Sequence, residues 1–307
     1  MPLAAAGSGW PDRPVRVVVP FAPGGTADPL ARIVANELAV RMGQPFVTEN
    51  RSGANGVVGG RLVAAAPPNG YTLLLPGWSM LVASPHLQAD LGYDPLRSFA
   101  PVCGLAVIDF LLVVRPELGI RTLDQFLEHA HARPDTLTCG SSGIGSSIHL
   151  GGELFNRLAG LKTVHIPYRG SAPALTDLVA GKIDYMFDSG VSAGFVRDGQ
   201  LVALGVAEAE RRADLRDVPT FRELGYPAAD QLVSHFPLLA PAGTPDAVVQ
   251  SLGEHVSACL QEPRLQGLIR ASSLRPGFLG PDAVRQAMAD DFSAFGGLIR
   301  QLGIEAS

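Results

Sequence analysis

Apolar positions follow two rhythms along this chain. Val15, Val17, Val18 and Val19 cluster within five residues, the pattern of a strand covered on both faces. Pro20 and Pro23 then stop the ladder because they lack an N–H. Leu30, Ile33, Val34, Leu38 and Met42 recur at helical spacing, and Gly43 stands where a helix needs its C′ residue. Thr26 or Asp28 is the expected N-cap, with Pro29 tolerated in the first turn. Between strand and helix lies Gly24-Gly25, which permits φ > 0 and close approach by another molecule. A helix N-terminus at the end of a buried strand offers free N–H groups and a positive dipole end, suited to phosphate or carboxylate. An ordinary βα turn is the competing reading.

The same alternation continues. Pro45 to Asn50 reads as a second strand, followed by the polar loop Arg51 to Gly56 and a helix from Val57 to Ala66. Pro67-Pro68-Asn69-Gly70 is a turn, Tyr71 to Leu75 a third strand, and Pro76-Gly77-Trp78-Ser79 the loop after it. Three β-then-α units imply a parallel sheet with right-handed crossovers. A different texture begins near Phe99, with strands at Ala100 to Val107 and Phe110 to Val114. Thr122 opens a helix from Leu123 to Ala132. A short strand, Leu137 to Cys139, runs into Gly140 to Ser147 and a helix through His149, Leu150, Leu154 and Leu158. The opening strand–glycine turn–helix thus recurs. Strands follow at Lys162 to Pro167, Ile183 to Phe187 and Leu201 to Val206, with a helix at Ala172 to Ala180. Leu232 to Ala240 is another strand, Thr244 caps a helix starting at Pro245, and a second amphipathic helix covers 281–302. Between them, 262–280 holds a short helix and a short strand.

Composition narrows the function. The 307 residues are enough for two domains. Hydrophobic residues at 47% supply a sizeable core, while 35 Gly and 25 Pro call for many short, defined loops. The net charge of -5, without a block of like charges, argues against a nucleic-acid protein. The longest apolar run, Val102 to Val114, is interrupted by Asp109 and falls short of a membrane span. Cys103, Cys139 and Cys259 form neither a disulfide framework nor a metal-ligand spacing and read as buried small hydrophobes. Leu3-Ala4-Ala5-Ala6-Gly7 resembles the tail of a signal peptide, with the small residues of its cleavage site.

Four loops fall at carboxyl ends of strands: 21–28, 76–80, 140–147 and 167–171. Ligands of open α/β sheets bind at such ends. The Gly140–Ser147 loop has the composition of a phosphate loop, but no Lys follows it, the third glycine of a dinucleotide fingerprint is replaced by Ile148, and Ile144 breaks the nucleophile elbow around Ser142. His149 reads as structural, His129 and His131 as solvated, and no metal motif exists. Asp184 reads as turn chemistry, whereas Asp188, Tyr168 and Arg169 stand at ligand-facing strand ends. A small ligand between two α/β domains is the arrangement these loops suggest.

In WPDRPVRVVVPFAPGGTADPLAR, ENRSGANGVVGG, PPNGYTLL, GYDPLRSFAPV, CGSSGIGSSIHLGGELF, VHIPYRGSAPALTDLVAGKIDYMFD, VPTFRELGYP and APAGTP, from Trp10 to about Ile304, the chain resembles the Bug, or tripartite tricarboxylate transporter receptor, family of bacterial solute-binding proteins. The resemblance implies a periplasmic, two-domain Venus-flytrap fold of type II, α/β throughout, each domain a mostly parallel sheet flanked by helices. Domain 1 would hold 10–104 and 227–307, domain 2 would hold 105–226, and the ligand would lie in a cleft between them, with two crossings at the hinge. It implies a monomer that captures a small organic acid (a mono-, di- or tricarboxylate, an amino acid or an aromatic acid) and presents it to one large and one small membrane transporter subunit. No cofactor, metal or catalytic residue is implied. Phe21, Pro23, Gly24, Gly25, Thr26 and Asp28 would form the carboxylate end of the site, chiefly through backbone amides. Trp78, Ser79, Ser142, Gly143, Ser146, Tyr168, Arg169 and Asp188 would line the remainder. His235 and Pro237 depart from the Trp and Gly the family often has before APAGTP. Trp78 is bulkier than the usual residue there and would either stack on an aromatic ligand or narrow the pocket. Two rivals remain: a ligand sensor for a signalling partner, and a hydrolase using Ser142 or Ser146 with His149.

Overall fold

The computed structural model describes residues 9–88, 90–108, 110–208, 210–227 and 234–303. The Leu3–Gly7 segment, Asp109, Leu232, Val233 and Ile304 lie outside them. The first half runs β1 (Val15–Val19), α1 (Ala27–Met42), β2 (Phe46–Asn50), α2 (Val57–Ala64), β3 (Thr72–Leu74), α3 (Trp78–Val82), α4 (Ser84–Leu87), β4 (Phe99–Ile108), β5 (Phe110–Val114) and α5 (Leu123–Ala132). It continues β6 (Thr138–Ser141), α6 (Ser147–Leu158), β7 (Val164–Pro167), α7 (Ser171–Val179), β8 (Tyr185–Asp188), α8 (Ala193–Arg197) and β9 (Val202–Ala207). The last stretch holds β10 (Ser234–Pro241), α9 (Asp246–Leu260), α10 (Pro263–Ala271), β11 (Arg275–Leu279) and α11 (Pro281–Leu302). The chain divides into two compact units. One runs to Val107 and resumes at His235; the other is Ile108–Ser234.

In the first unit the strand order is β11-β4-β10-β3-β1-β2. The valine-rich β1 pairs parallel with β2 on one side and β3 on the other. Val15, Val18 and Val19 are fully buried, as expected for a strand with helices on both faces. β10 joins β3 antiparallel through Leu239 and Leu74, and β11 joins β4 antiparallel. The second unit has the order β7-β6-β8-β5-β9. Here β6 pairs parallel with β7 and β8, while β5 runs antiparallel to β8 and β9. Its core is aromatic: Phe155 and Phe187 lie 5.8 Å apart between ring centroids, and Phe221 lies 5.2 and 5.5 Å from them.

The α/β class is as expected, and each unit contains a three-stranded parallel nucleus. The antiparallel additions that make both sheets mixed were not legible. A strand buried on both faces reads as an apolar run whichever way it points. Two local expectations are corrected. Thr244 does not cap α9; its buried hydroxyl donates to Pro241 O at 2.8 Å, and the helix begins after Pro245. The 76–80 segment is not a loop throughout, because α3 starts at Trp78. The expected Thr122 cap on α5 is present, accepting from Gln125 N.

Candidate functional site

Parallel pairing aligns the carboxyl ends of β2, β1 and β3 along one rim of the first unit. The turn after β1 is stapled to both neighbours. Asn50 Nδ2, at the end of β2, donates to Phe21 O at 3.1 Å. Gly77, after β3, lies so close that an added Cβ would sit 3.1 Å from the Phe21 ring. Gly24 takes φ +84°, a left-handed turn that a side chain would strain. Pro23, Gly24 and Gly25 are exposed and Thr26 is half-buried. They lead directly into the 16-residue α1, whose N-cap position is Thr26 without a side-chain cap. Backbone, rather than polar side chains, is therefore what this turn presents.

Asp28 is placed differently from expectation. It is 6% exposed, and its Oδ2 accepts from Gly24 N at 3.4 Å and Arg32 Nε at 3.1 Å. Burial opposes its ionisation, but Arg32, Asn50 and Gly24 outweigh that and hold its carboxyl below the usual value. Asp28 thus braces the turn and is not a ligand-facing group. Trp78 is also corrected. Its ring is 1% exposed inside the core cluster with Val18, Leu74, Leu239 and Met288. Its Nε1 donates to Asp291 Oδ2 at 2.6 Å, and its face meets the His235 ring at 4.7 Å. No surface is left for an aromatic ligand. Ser79 follows it into α3 and is 6% exposed.

The second unit carries its own rim at the ends of β7, β6 and β8. The register sets Ser141 beside Pro167, and Gly140 beside Met186. Ser142, Tyr168 and Asp188 therefore continue along one edge. Ser146 caps the 12-residue α6 by accepting from His149 N at 3.2 Å. Gly143 takes φ +123°, and a Cβ there would meet Tyr168 O at 3.3 Å. Ser142 and Gly143 are half-buried. The Tyr168 hydroxyl donates to Asp177 Oδ2 at 3.0 Å, so it holds the loop; burial and Asp177 raise its pKa. Arg169 is exposed in the following turn. Asp188 is fully buried; its Oδ2 accepts from Ser192 N at 2.8 Å while its Oδ1 has no hydrogen bond. Burial pushes its carboxyl above the usual value.

Several residues at these rims were not singled out in the sequence. Ser141 Oγ lies 2.6 Å from His165 Nε2 and accepts from Gly143 N at 3.1 Å. The His165 ring stacks on His149 at 3.9 Å. Gly145 N donates to His149 Nδ1 at 3.1 Å, which makes that nitrogen an acceptor and the ring neutral. Burial, with His165 beside it, lowers the His149 pKa to about 3. The structural reading of His149 fits this pattern: its Nδ1 is taken by Gly145 N, and Ser146 meets its backbone N–H and not its ring. Asp184 turns out to brace strands, accepting from Thr138 N at 2.8 Å and Arg115 Nε at 2.9 Å. All three cysteines are free and buried. Among the described residues there is no cluster able to hold a metal ion and no helix long and apolar enough to cross a membrane.

Residues 30–304 match the model of the tripartite tricarboxylate transporter family receptor. The chain belongs to that family. It is 34% identical to protein BugT of Bordetella pertussis over 298 residues, covering 96% of this chain and 90% of BugT. An R. palustris protein solved with adipate is 33% identical, with a TM-score of 0.90 and coverage of 97% and 100%. MatC from Rhodopseudomonas palustris, solved with bound malate, is 32% identical, with a TM-score of 0.83 and coverage of 94% and 100%. The resemblance read from the sequence motifs is thus upheld, and the family is one of periplasmic solute-binding proteins.

Proposed function

We propose that this member is a non-enzymatic periplasmic receptor that captures a small organic acid and delivers it to membrane subunits of a tripartite transporter. The exposed Gly24-Gly25 turn at the N-terminus of α1 carries the reading. Backbone amides at a helix N-terminus suit a carboxylate and need no charged side chain. The adipate- and malate-bound relatives support the same ligand class. On this reading Phe21 to Thr26 are the ligand-binding residues of the first unit, and Ser142, Gly143, Ser146, Tyr168, Arg169 and Asp188 are those of the second. Trp78 and Asp28 act behind the first rim.

The test is a thermal-shift screen against mono-, di- and tricarboxylates, amino acids and aromatic acids. A ligand at 100 times its Kd adds about 2.7 kcal/mol of stability. No shift with any acid, together with labelling of Ser141, Ser142 or Ser146 by serine-reactive probes, overturns the reading in favour of a hydrolase.

A further inference from the structure

The turn that opens β3 carries a reactive pair away from the rim. Asn69-Gly70 follows Pro67-Pro68 at the amino ends of the parallel strands, the end of the sheet opposite the rim. Asn69 is exposed, and its Oδ1 accepts from Tyr71 N at 3.1 Å. Among the described residues neither Asn69 Nδ2 nor Gly70 N has a hydrogen-bond partner. The chain has one other Asn-Gly pair, Asn55-Gly56, and there both groups are held. Asn55 Nδ2 donates to Ser84 Oγ at 2.9 Å and Gly56 N to Gly53 O at 3.0 Å. Packing also fixes a glycine after Asn69. Gly70 takes φ +83°, and a Cβ there would lie 2.5 Å from Val248 Cγ1 and 3.0 Å from Trp10 Cε2. No bulkier residue can stand there to shield the amide.

We propose that Asn69 is a site of spontaneous modification, where Gly70 N attacks the side-chain amide and water completes its conversion to aspartate or isoaspartate. The inference goes beyond the receptor reading and does not depend on it. Gly70 N gives its proton to hydroxide and forms a bond to Asn69 Cγ. The Cγ–Nδ2 bond breaks, and the nitrogen leaves as ammonia with a proton from water. Water then opens the cyclic imide at either carbonyl, and nothing is oxidised or reduced. The free Gly70 N–H has no acceptor to surrender, and exposure admits base and water. Tyr71 N polarises the Asn69 carbonyl and stabilises its oxygen as charge develops there. At Asn55 two hydrogen bonds must break before the same attack. The aspartate product adds a negative charge and keeps an oxygen for Tyr71 N. Isoaspartate lengthens the backbone where Gly70 packs against Trp10 and Val248.

The experiment incubates the full chain at mildly alkaline pH and follows both Asn-Gly pairs by peptide mass spectrometry. Asn69 is expected to gain the mass of amide-to-acid conversion at least about tenfold faster than Asn55. In guanidinium chloride, where both pairs lose their contacts, the ratio is expected to fall to about twofold or less. Asn69→Ser keeps an oxygen for Tyr71 N but has no amide to lose. It is expected to show no mass gain in the peptide around position 69, while Asn55 reacts at its original rate. Comparable rates at Asn69 and Asn55 in the folded chain overturn the proposal, because the free groups of the turn then make no difference. A tenfold ratio that persists in guanidinium chloride overturns it too, since the lability then belongs to the local sequence and not to the fold. A mass gain that survives in Asn69→Ser places the reaction at another residue.

Discussion

The two rims are built from the same strand–turn–helix plan but furnish it with different groups. In the first unit the turn is exposed and glycine-lined, and the nearby carboxylate of Asp28 is spent on Gly24 N and Arg32. In the second unit the turn is furnished with Ser141, Ser142 and Ser146, and the carboxylate of Asp188 is fully buried nearby. A backbone cradle recognises the group shared by all carboxylates. Side chains at fixed positions distinguish what the rest of the molecule carries. On the receptor reading proposed above, the first rim is the general anchor and the second supplies side chains that read the rest of a ligand.

The sharpest way to break this contrast is to fill the first rim. Gly25 is outside the left-handed region, and a Cβ there meets only Ala22 O at 3.8 Å. Gly25→Val is therefore expected to fold normally yet weaken every acid at least about 1,000-fold, roughly 4 kcal/mol. Calorimetry on the variant checks the loss, and circular dichroism checks the fold. Gly24 is the wrong choice, since its φ of +84° would add strain to the same steric effect. Retained binding by Gly25→Val would remove the first rim from the site.

Acid titration tests the second rim. Folding lowers the His149 pKa to about 3, chiefly by burial and then by the neighbouring His165. The unfolded chain titrates near the ordinary value of about 6.5. Between those values the unfolded state binds the proton and the folded state does not. The stability is therefore fully present above about pH 6.5 and is lost as pH falls toward 3. The expected slope approaches 2.303RT, slightly more than about 1 kcal/mol per pH unit, or on the order of 5 kcal/mol across the window. His149→Gln should flatten it in urea melts at stepped pH. His235 in the first unit, lowered to about 4 by burial and Arg275, contributes a second, shallower acid loss that His149→Gln leaves in place.

A smaller effect is expected from the glycine that lets α2 approach the first rim. A Cβ on Gly59 would lie 2.7 Å from Pro20 Cβ, 2.9 Å from its Cα and 3.1 Å from Arg51 O. Two of those three atoms are backbone and cannot swing aside. Gly59→Ala should destabilise by about 2 kcal/mol, read as a lowered urea midpoint, and displace the 20–26 turn. Gly25→Val should not change that midpoint, which separates damage to the scaffold from damage to the cradle.

The first rim was largely legible from sequence because its parts are contiguous: a valine run, two glycines and a helical period in one stretch. The bracing role of Asp28 leaves a mark in the sequence too, since Arg32 stands at i+4 from it. The contact between Ser141 and His165 was not, because it spans 24 residues and exists only once β6 and β7 choose their register. The burial of Asp188, Ser189 and Ser192 is likewise a property of packing, invisible in composition. Antiparallel strands β5 and β10 carry no mark of direction in their apolar runs.

Trp78 shows how a turn signal hid a core residue, and it yields the smallest prediction. Pro76-Gly77 reads as a break, yet Trp78, Met80, Leu81 and Val82 form an apolar run immediately after it. The run signals burial, and α3 buries all of it against β1, β3 and α11 in the first unit's core. The indole keeps one polar task, donating to Asp291 Oδ2, whose carboxyl is raised by burial, with Trp78 opposing the rise and Asp290 adding to it. Trp78→Phe deletes that donor and, because the phenyl ring is smaller than the indole, also leaves a void in the core. It leaves a half-buried carboxylate without its bond, which should cost about 1 to 2 kcal/mol. Ligand affinity should remain within about twofold, because the ring lies behind the rim. A tenfold loss of affinity at unchanged stability would return Trp78 to the binding surface, and would mean that the first rim, too, reads its ligand with side chains.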